Sequence, residues 1–417
     1  MMPRKKKGGT HLFYRILCVL LLIVLALFCA VSCEKDDPGQ VQAMEDEAVV
    51  TDDVTKKNDD TEPVESPELT ECKDINPHDT VFIKWFGRTD KMADGSTGFD
   101  YTASGFEVKF KGSKLDVVLQ STNYDDETNR AYVTVIVDGE NYREAPHYAL
   151  DKLRKTISIE LDEGEHTVRI LKRSEAKWSR VFLKSIETDG VFLKPDPRRE
   201  HLIEFYGDSI TCGYGSVSSS TDKFSTATED GLAAFAFITA EALGAECSIM
   251  SQSGIAINKN IWEAENNLPM LVGQSSYYNK NEYSSQRAPD AVVIYGGVND
   301  QPYITSAPTH TEMARRQSAF VDAYSDMIRE ILEKNPDTVV FCCTGVYGEA
   351  DYMGTLIKQA IDAVGSDRVV YTVLPAKTAA DGIGADGHPT YKTHEKVAAS
   401  LAGVISSTMG WNDSPNA

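Results

Sequence analysis

Four short stretches hold the residue types that chemistry needs. "EFYGDSITCGYG" (204–215) places Ser209 directly after an apolar run, behind Gly207 and Asp208. "SQSGI" (251–255) ends a second apolar run at Gly254, and "YGGVND" (295–300) ends a third at Asn299 and Asp300. "GADGHPTYKTHEKVA" (384–398) carries His388, with Asp386 two residues before it. A serine hydroxyl becomes a useful nucleophile when a neighbouring base takes its proton, and an imidazole suits that task near neutral pH. Backbone and amide N–H groups converging on one point can hold a developing oxyanion. The set therefore reads as acyl transfer: Ser209 attacks, His388 is the base, Asp386 orients the second imidazole nitrogen, and Ser209 N–H, Gly254 N–H and the Asn299 amide are the donors. Each stretch also has a plain reading. Ser209 fits a helix cap, Gly254 a turn glycine, and Asp300 a cap on the segment that follows it.

Converging residues so far apart in the chain requires a scaffold. From His201 onward, "HLIEFYG", "ECSIMSQSG", "DAVVIYGG", "DTVVFCCTG" and "RVVYTVLP" are short, continuous apolar runs, the pattern of strands covered on both faces. Helix-like stretches alternate with them: "GLAAFAFITAEALG", "TEMARRQSAFVDAYSDMIREILEKN", "DYMGTLIKQAIDAVG" and "THEKVAASLAGVISSTM". The second must stop at Asn335, because Pro336 follows. Alternation predicts a parallel sheet flanked by helices, with ligands beyond the carboxyl ends of the strands, where the four stretches fall.

The preceding region is different. Between about Asp79 and Thr188, segments such as "TVFIKWFG", "KLDVVLQS", "AYVTVIVDG" and "HTVRIL" are rich in Val, Ile and aromatics, and several alternate apolar with polar residues. No helical period interrupts them. This predicts an all-β, jelly-roll-like sandwich, with Asp138-Gly139 turning a tight hairpin. Trp85 and Trp178 sit in strand-like runs and read as core; Tyr277 and Tyr278, in a polar loop, read as exposed rings able to stack on a sugar. His394 lies six residues beyond His388, a spacing that puts the two on different helix faces and argues against a metal pair, and its helix context reads as that of a capping or packing histidine.

G-D-S, an isolated Gly, G-x-N-D and a terminal Asp/His pair, in that order, resemble the SGNH (GDSL) hydrolase superfamily. With the β-region containing "IKWFGRTD" and "TVRILKRSE", the chain is similar to carbohydrate esterase family two, in which a jelly-roll domain precedes an SGNH domain. The resemblance implies a serine esterase that removes acetyl groups from plant polysaccharides such as xylan and glucomannan through an acetyl-serine, with no metal or cofactor. It implies Ser209 as nucleophile, His388 as base and Ser209, Gly254 and Asn299 as oxyanion hole. The superfamily keeps its acid three residues before the histidine, where this chain has Ala385. Asp386 matches the closer spacing of the esterase family, some members of which orient the histidine through a backbone carbonyl. Where that family often has Trp between the two, this chain has Gly387. Two other readings stay open: an SGNH ester hydrolase acting on another acyl group, and a carbohydrate-binding lipoprotein without activity.

Length and charge frame these readings. A chain of 417 residues exceeds one ordinary core. Its net charge of −21 argues against a nucleic-acid partner. "MMPRKKK" followed by the apolar run from Ile16 reads as an export signal. Ala30, Val31 and Ser32 before Cys33 resemble a bacterial lipoprotein signal, and "CEKDD" is similar to surface-export tags. Residues 1–33 are thus expected to be a signal with its lipobox, Cys33 the lipidated residue, and the cell envelope (outer membrane or cell surface) the location. Residues 34–71 are acidic and poor in aromatics, and are expected to be a disordered linker. The β-sandwich would then span 72–196 and the SGNH domain 197–417. Cys72, Cys212, Cys247, Cys342 and Cys343 remain, an odd set without C-x-x-C spacing.

Overall fold

The computed structural model describes residues 70–262, 266–279, 282–283 and 287–411. The signal, Cys33 and nearly all of the acidic linker lie outside the described residues. The first strand, β1 (Glu71–Cys72), begins one residue inside the expected linker, because Glu71 pairs with Leu193.

The β-region forms one ten-stranded antiparallel system. Its strands are β2 (Ile83–Phe86), β3 (Thr89–Lys91), β4 (Thr97–Phe99), β5 (Gly105–Ser121), β6 (Tyr132–Val137), β7 (His147–Ala149), β8 (Arg154–Lys172), β9 (Val181–Thr188) and β10 (Val191–Leu193), together with β1. The long strands β5 and β8 run side by side. The first half of β5 also pairs with β2 and β10, its second half with β9, and a bulge at Gly112–Lys114 separates the halves. A strand that changes partners across a bulge bends from one layer into the other. Phe99, Phe106, Val117, Val133 and Ile170 fill the space between the layers. Asp138 and Gly139 both take positive φ, as a tight reverse turn demands. The return strand does not follow at once, however. A helical turn at Asn141–Ala145 intervenes, and β7 starts at His147.

The second region is a five-stranded parallel sheet of β11 (Leu202–Gly207), β12 (Glu246–Ser251), β13 (Ala291–Tyr295), β14 (Val339–Thr344) and β15 (Val369–Val373). Its spatial order is β12-β11-β13-β14-β15. The helices are α1 (Ser209–Cys212), α2 (Phe235–Ala242), α3 (Asp300–Thr305), α4 (His310–Lys334), α5 (Met353–Val364) and α6 (Tyr391–Met409). Phe205, Val293 and Phe341 face α2 and α6, whereas Tyr206, Ile294 and Cys342 face α4 and α5. Burial on both faces explains why these strands read as unbroken apolar runs. Strand order reverses beside β11, so the chain leaves β11 and β13 in opposite directions and opens a crevice at their carboxyl ends.

The two regions pack as one compact unit. Arg88 of the β-region is buried against the sheet. Its guanidinium donates to the carbonyls of Leu271 (2.8 Å) and Gln274 (2.7 Å) and to the Tyr206 hydroxyl (2.7 Å). Such a fork loses several bonds at once if the regions separate. All five cysteines among the described residues are free thiols, four of them buried.

Candidate active site

Ser209 is the first residue of the one-turn helix α1. The capping is done by Asp208, whose Oδ1 accepts the Ile210 N–H at 3.0 Å, and this leaves the Ser209 hydroxyl uncommitted. Gly207 is required by close approach, not by an unusual φ: a Cβ there would lie 1.9 Å from Thr211 Oγ1. The second Asp208 oxygen has no partner among the described residues, and burial pushes this carboxyl up to about 7.

The loop entering α6 brings His388 to this point. Its Nε2 lies 2.8 Å from Ser209 Oγ. Its Nδ1 lies 3.2 Å from the Ala385 carbonyl. The expected role of Asp386 is therefore corrected. Its carboxylate accepts the Tyr214 hydroxyl at 2.7 Å, and the orienting contact to His388 comes from the backbone three residues before it. Asp386 sits at φ 50°, in the left-handed region, and its carboxylate meets Tyr214. Tyr214 in turn stacks on the His388 ring, with centroids 4.1 Å apart. Burial pulls the His388 imidazole down to about 4; the Ala385 carbonyl works against this and the Lys377 ammonium adds to it. The ring is thus neutral at physiological pH, with Nε2 an acceptor for the serine proton when Nδ1–H points at Ala385.

Gly254 and Asn299 line the same cleft as Ser209 and His388. Gly254 takes φ +80°, a backbone that favours glycine, and among the described residues its N–H has no acceptor. Asn299 spends one amide hydrogen on the Ile255 carbonyl at 2.8 Å and keeps the other. Asp300 does not cap α3. It accepts the N–H groups of Ile257 (2.9 Å), Asn258 (2.8 Å) and Lys259 (3.1 Å), and so fastens the loop after Gly254 to the end of β13. Burial pushes its carboxyl up to about 6.

The cleft measures about 630 Å³. Aromatic walls come from Trp178, Tyr214, Phe224, Trp262 and Tyr277, which supply the ring faces that Gly387 does not. Trp178 is thus in the cleft wall and not in the core. Its loop leaves β8, and its Nε1 donates to Glu175 at 2.8 Å. Trp262, 60% exposed at the rim, went unread in the sequence because a lone Trp in a polar loop has no period or spacing to mark it. Tyr277 lines the cleft but is half-buried against the core, while Tyr278 is exposed and its hydroxyl donates to the Ala176 carbonyl at 2.9 Å. Trp85 does pack in the β-core, against Phe106. His394 is buried; its Nδ1 accepts the Phe235 N–H, and burial pulls it down to about 3.

Beneath the cleft, the ligand atoms of Glu175, Cys212 and Glu229 lie within 4.8 Å of one another. The buried Lys172 ammonium serves this cluster as its positive charge, donating to the Ser174 and Glu175 carbonyls at 2.7 Å each.

A serine–histidine pair at the end of the first strand of a parallel sheet, with a glycine and an asparagine at the ends of the next two, defines an SGNH-type site. The comparisons agree. The "GDSL-like Lipase/Acylhydrolase family" model matches residues 205–396, and the "Carbohydrate esterase 2 N-terminal" model matches 85–197. The chain is thus similar to the SGNH (GDSL) hydrolase superfamily over its second region and to carbohydrate esterase family two over its first. The cellulase/esterase CelE of Acetivibrio thermocellus is 28% identical over 80% of this chain. The chain spans only 40% of that protein's length. An acetylxylan esterase / glucomannan deacetylase of Cellvibrio japonicus is 24% identical, over 81% of this chain and 90% of its own. A family two carbohydrate esterase from Clostridium thermocellum, solved in complex with cellohexaose, superposes with a TM-score of 0.70 at 26% identity, covering 79% of this chain and 99% of that one.

Proposed function

We propose that this protein is a carbohydrate O-acetylesterase acting on acetylated plant polysaccharides of the xylan and glucomannan type. The observation that carries this reading is the 2.8 Å contact of His388 Nε2 with Ser209 Oγ inside a cleft walled by aromatic rings. His388 takes the Ser209 proton as the oxygen attacks the acetyl carbonyl. The tetrahedral oxyanion receives hydrogen bonds from the Ser209 and Gly254 N–H groups and the free Asn299 amide hydrogen, each worth roughly 3 kcal/mol in the transition state. The sugar oxygen leaves with the proton from His388, forming acetyl-serine. Water, deprotonated by the same imidazole, releases acetate and restores the hydroxyl. The Ala385 carbonyl holds the Nδ1–H tautomer through both halves. The names of the similar esterases support the substrate class.

The same proposal extends to the N-terminus. Cys33 would carry a lipid anchor that tethers the enzyme to the bacterial cell envelope, with the acidic segment as spacer. Radiolabelled palmitate incorporated into the wild type and absent from Cys33→Ser would support the anchor; equal labelling would end it.

The test of activity is acetate release from acetylated xylan, glucomannan and mannan by wild type and Ser209→Ala. Release by the wild type alone is expected. Turnover of p-nitrophenyl acetate without release from any glycan would leave an esterase of another substrate, and equal background rates in both proteins would end the catalytic reading.

A further inference from the structure

We propose that the β-region takes part in the active centre through the loop leaving β8, where Glu175 and Lys177 are positioning residues that aim the Gly254 N–H. This rests on the esterase reading above. Glu175 is fully buried, and its carboxylate accepts from two sides. Oε2 accepts the Ser253 N–H at 2.6 Å, and Oε1 accepts the Trp178 indole N–H at 2.8 Å. The Cys212 thiol donates to the same Oε2 at 3.5 Å. Two N–H donors, one on each oxygen, thus hold the side chain as an acceptor, while the single thiol hydrogen is shared with Ser251 Oγ at 3.2 Å.

Two residues along, Lys177 Nζ donates to the Ser253 carbonyl at 3.1 Å. That carbonyl and the Gly254 N–H are the two ends of one planar trans peptide, so fixing the direction of the C=O fixes the N–H pointing the opposite way. Glu175 holds the peptide on the N-terminal side of Ser253, and Lys177 holds the peptide on its C-terminal side. Both arms come from one short loop of the β-region, so the donor's direction is set from outside the parallel sheet. Gly254 needs such holding, since a glycine at φ +80° has many other backbone conformations open to it.

The test compares Glu175→Gln and Lys177→Met with the wild type on p-nitrophenyl acetate, with kcat expressed per active site titrated from the acyl-enzyme burst. Methionine keeps an apolar stem and removes the donor, together with the ammonium that lies over the Trp178 ring. If the clamp aims the oxyanion donor, kcat falls by about 10- to 100-fold in either variant while KM moves little, because the lost contact strengthens only in the transition state. Wild-type kcat in both variants overturns the proposal, as does a raised KM with unchanged kcat. A Glu175→Gln protein that does not fold, together with wild-type kcat in Lys177→Met, overturns it as well. Ser209→Ala assayed alongside separates the failures. A dead Ser209→Ala beside two fully active clamp variants sinks the clamp alone, whereas an active Ser209→Ala sinks the esterase reading and the clamp with it.

Discussion

The two sides of the cleft are built by different means. On one side the parallel sheet presents Ser209, Gly254 and Asn299, two, three and four residues beyond the ends of buried strands whose register sets their height. On the other side the β-region presents Glu175, Lys177 and Trp178 from one loop, held by side-chain hydrogen bonds and not by strand register. A strand end fixes where a residue sits. A loop that reaches across an interface fixes how its neighbour is oriented. The sheet side should therefore carry the largest losses on mutation, and the loop side should tune rate and substrate grip.

The first way to break this comparison is at the reacting pair. Ser209→Ala or His388→Ala is expected to lower kcat by on the order of 10³-fold or more, read from steady-state acetate release. A loss below tenfold would mean that the reacting atoms are elsewhere. Next comes Asn299→Ala, which removes one oxyanion donor and is expected to cost about 10²- to 10³-fold in kcat with KM nearly constant. A change confined to KM would assign the amide to ground-state binding instead.

At the rim, Trp262→Ala removes an exposed ring. An increase of about 2- to 10-fold in KM for acetylated polymer is expected, from stacking energies of about 0.5–1.5 kcal/mol. An unchanged KM would take this ring out of the sugar path. Asp386→Asn tests the corrected assignment. Asparagine tolerates the left-handed backbone at this position, and a loss under about threefold is expected; an orienting triad acid costs on the order of 10⁴-fold when so changed.

The smallest effect concerns pH. Burial holds the His388 pKa near 4, so kcat/KM should rise with pH through about 4 and level off well before neutrality. Lys377, which lies over the Tyr347 ring, adds to the lowering. Removing its charge raises the imidazole pKa, so Lys377→Met should move the acid limb to higher pH by a fraction of a unit. A limb moving to lower pH would reverse the sign of this interaction.

Much of the sheet side was legible before any fold was known. Apolar runs ending in Gly-Asp-Ser, Ser-Gly and Gly-Val-Asn-Asp mark strand ends, because burial on both faces requires unbroken apolar sequence and the rim requires turn residues. Asp300 shows the limit. Its place beside Asn299 was plain, but its three backbone partners at 257–259 lie some forty residues away and belong to a loop without regular structure. Trp178 shows another: β-type residues around it suggested a strand, and only the path of the chain after β8 turns its ring into the cleft.

What the sequence by itself determined was the order of two scaffolds and the identity of the groups at the strand ends, since both follow from local hydrophobic period and turn chemistry. Only the tertiary structure decided that Ala385, through its carbonyl, faces the second nitrogen of His388 while Asp386 turns to Tyr214, and that Glu175 reaches Ser253. The reason is physical. A backbone carbonyl has the same composition at every position, and a contact between residues 175 and 253 depends on how two regions distant in the chain pack together, which no local pattern encodes.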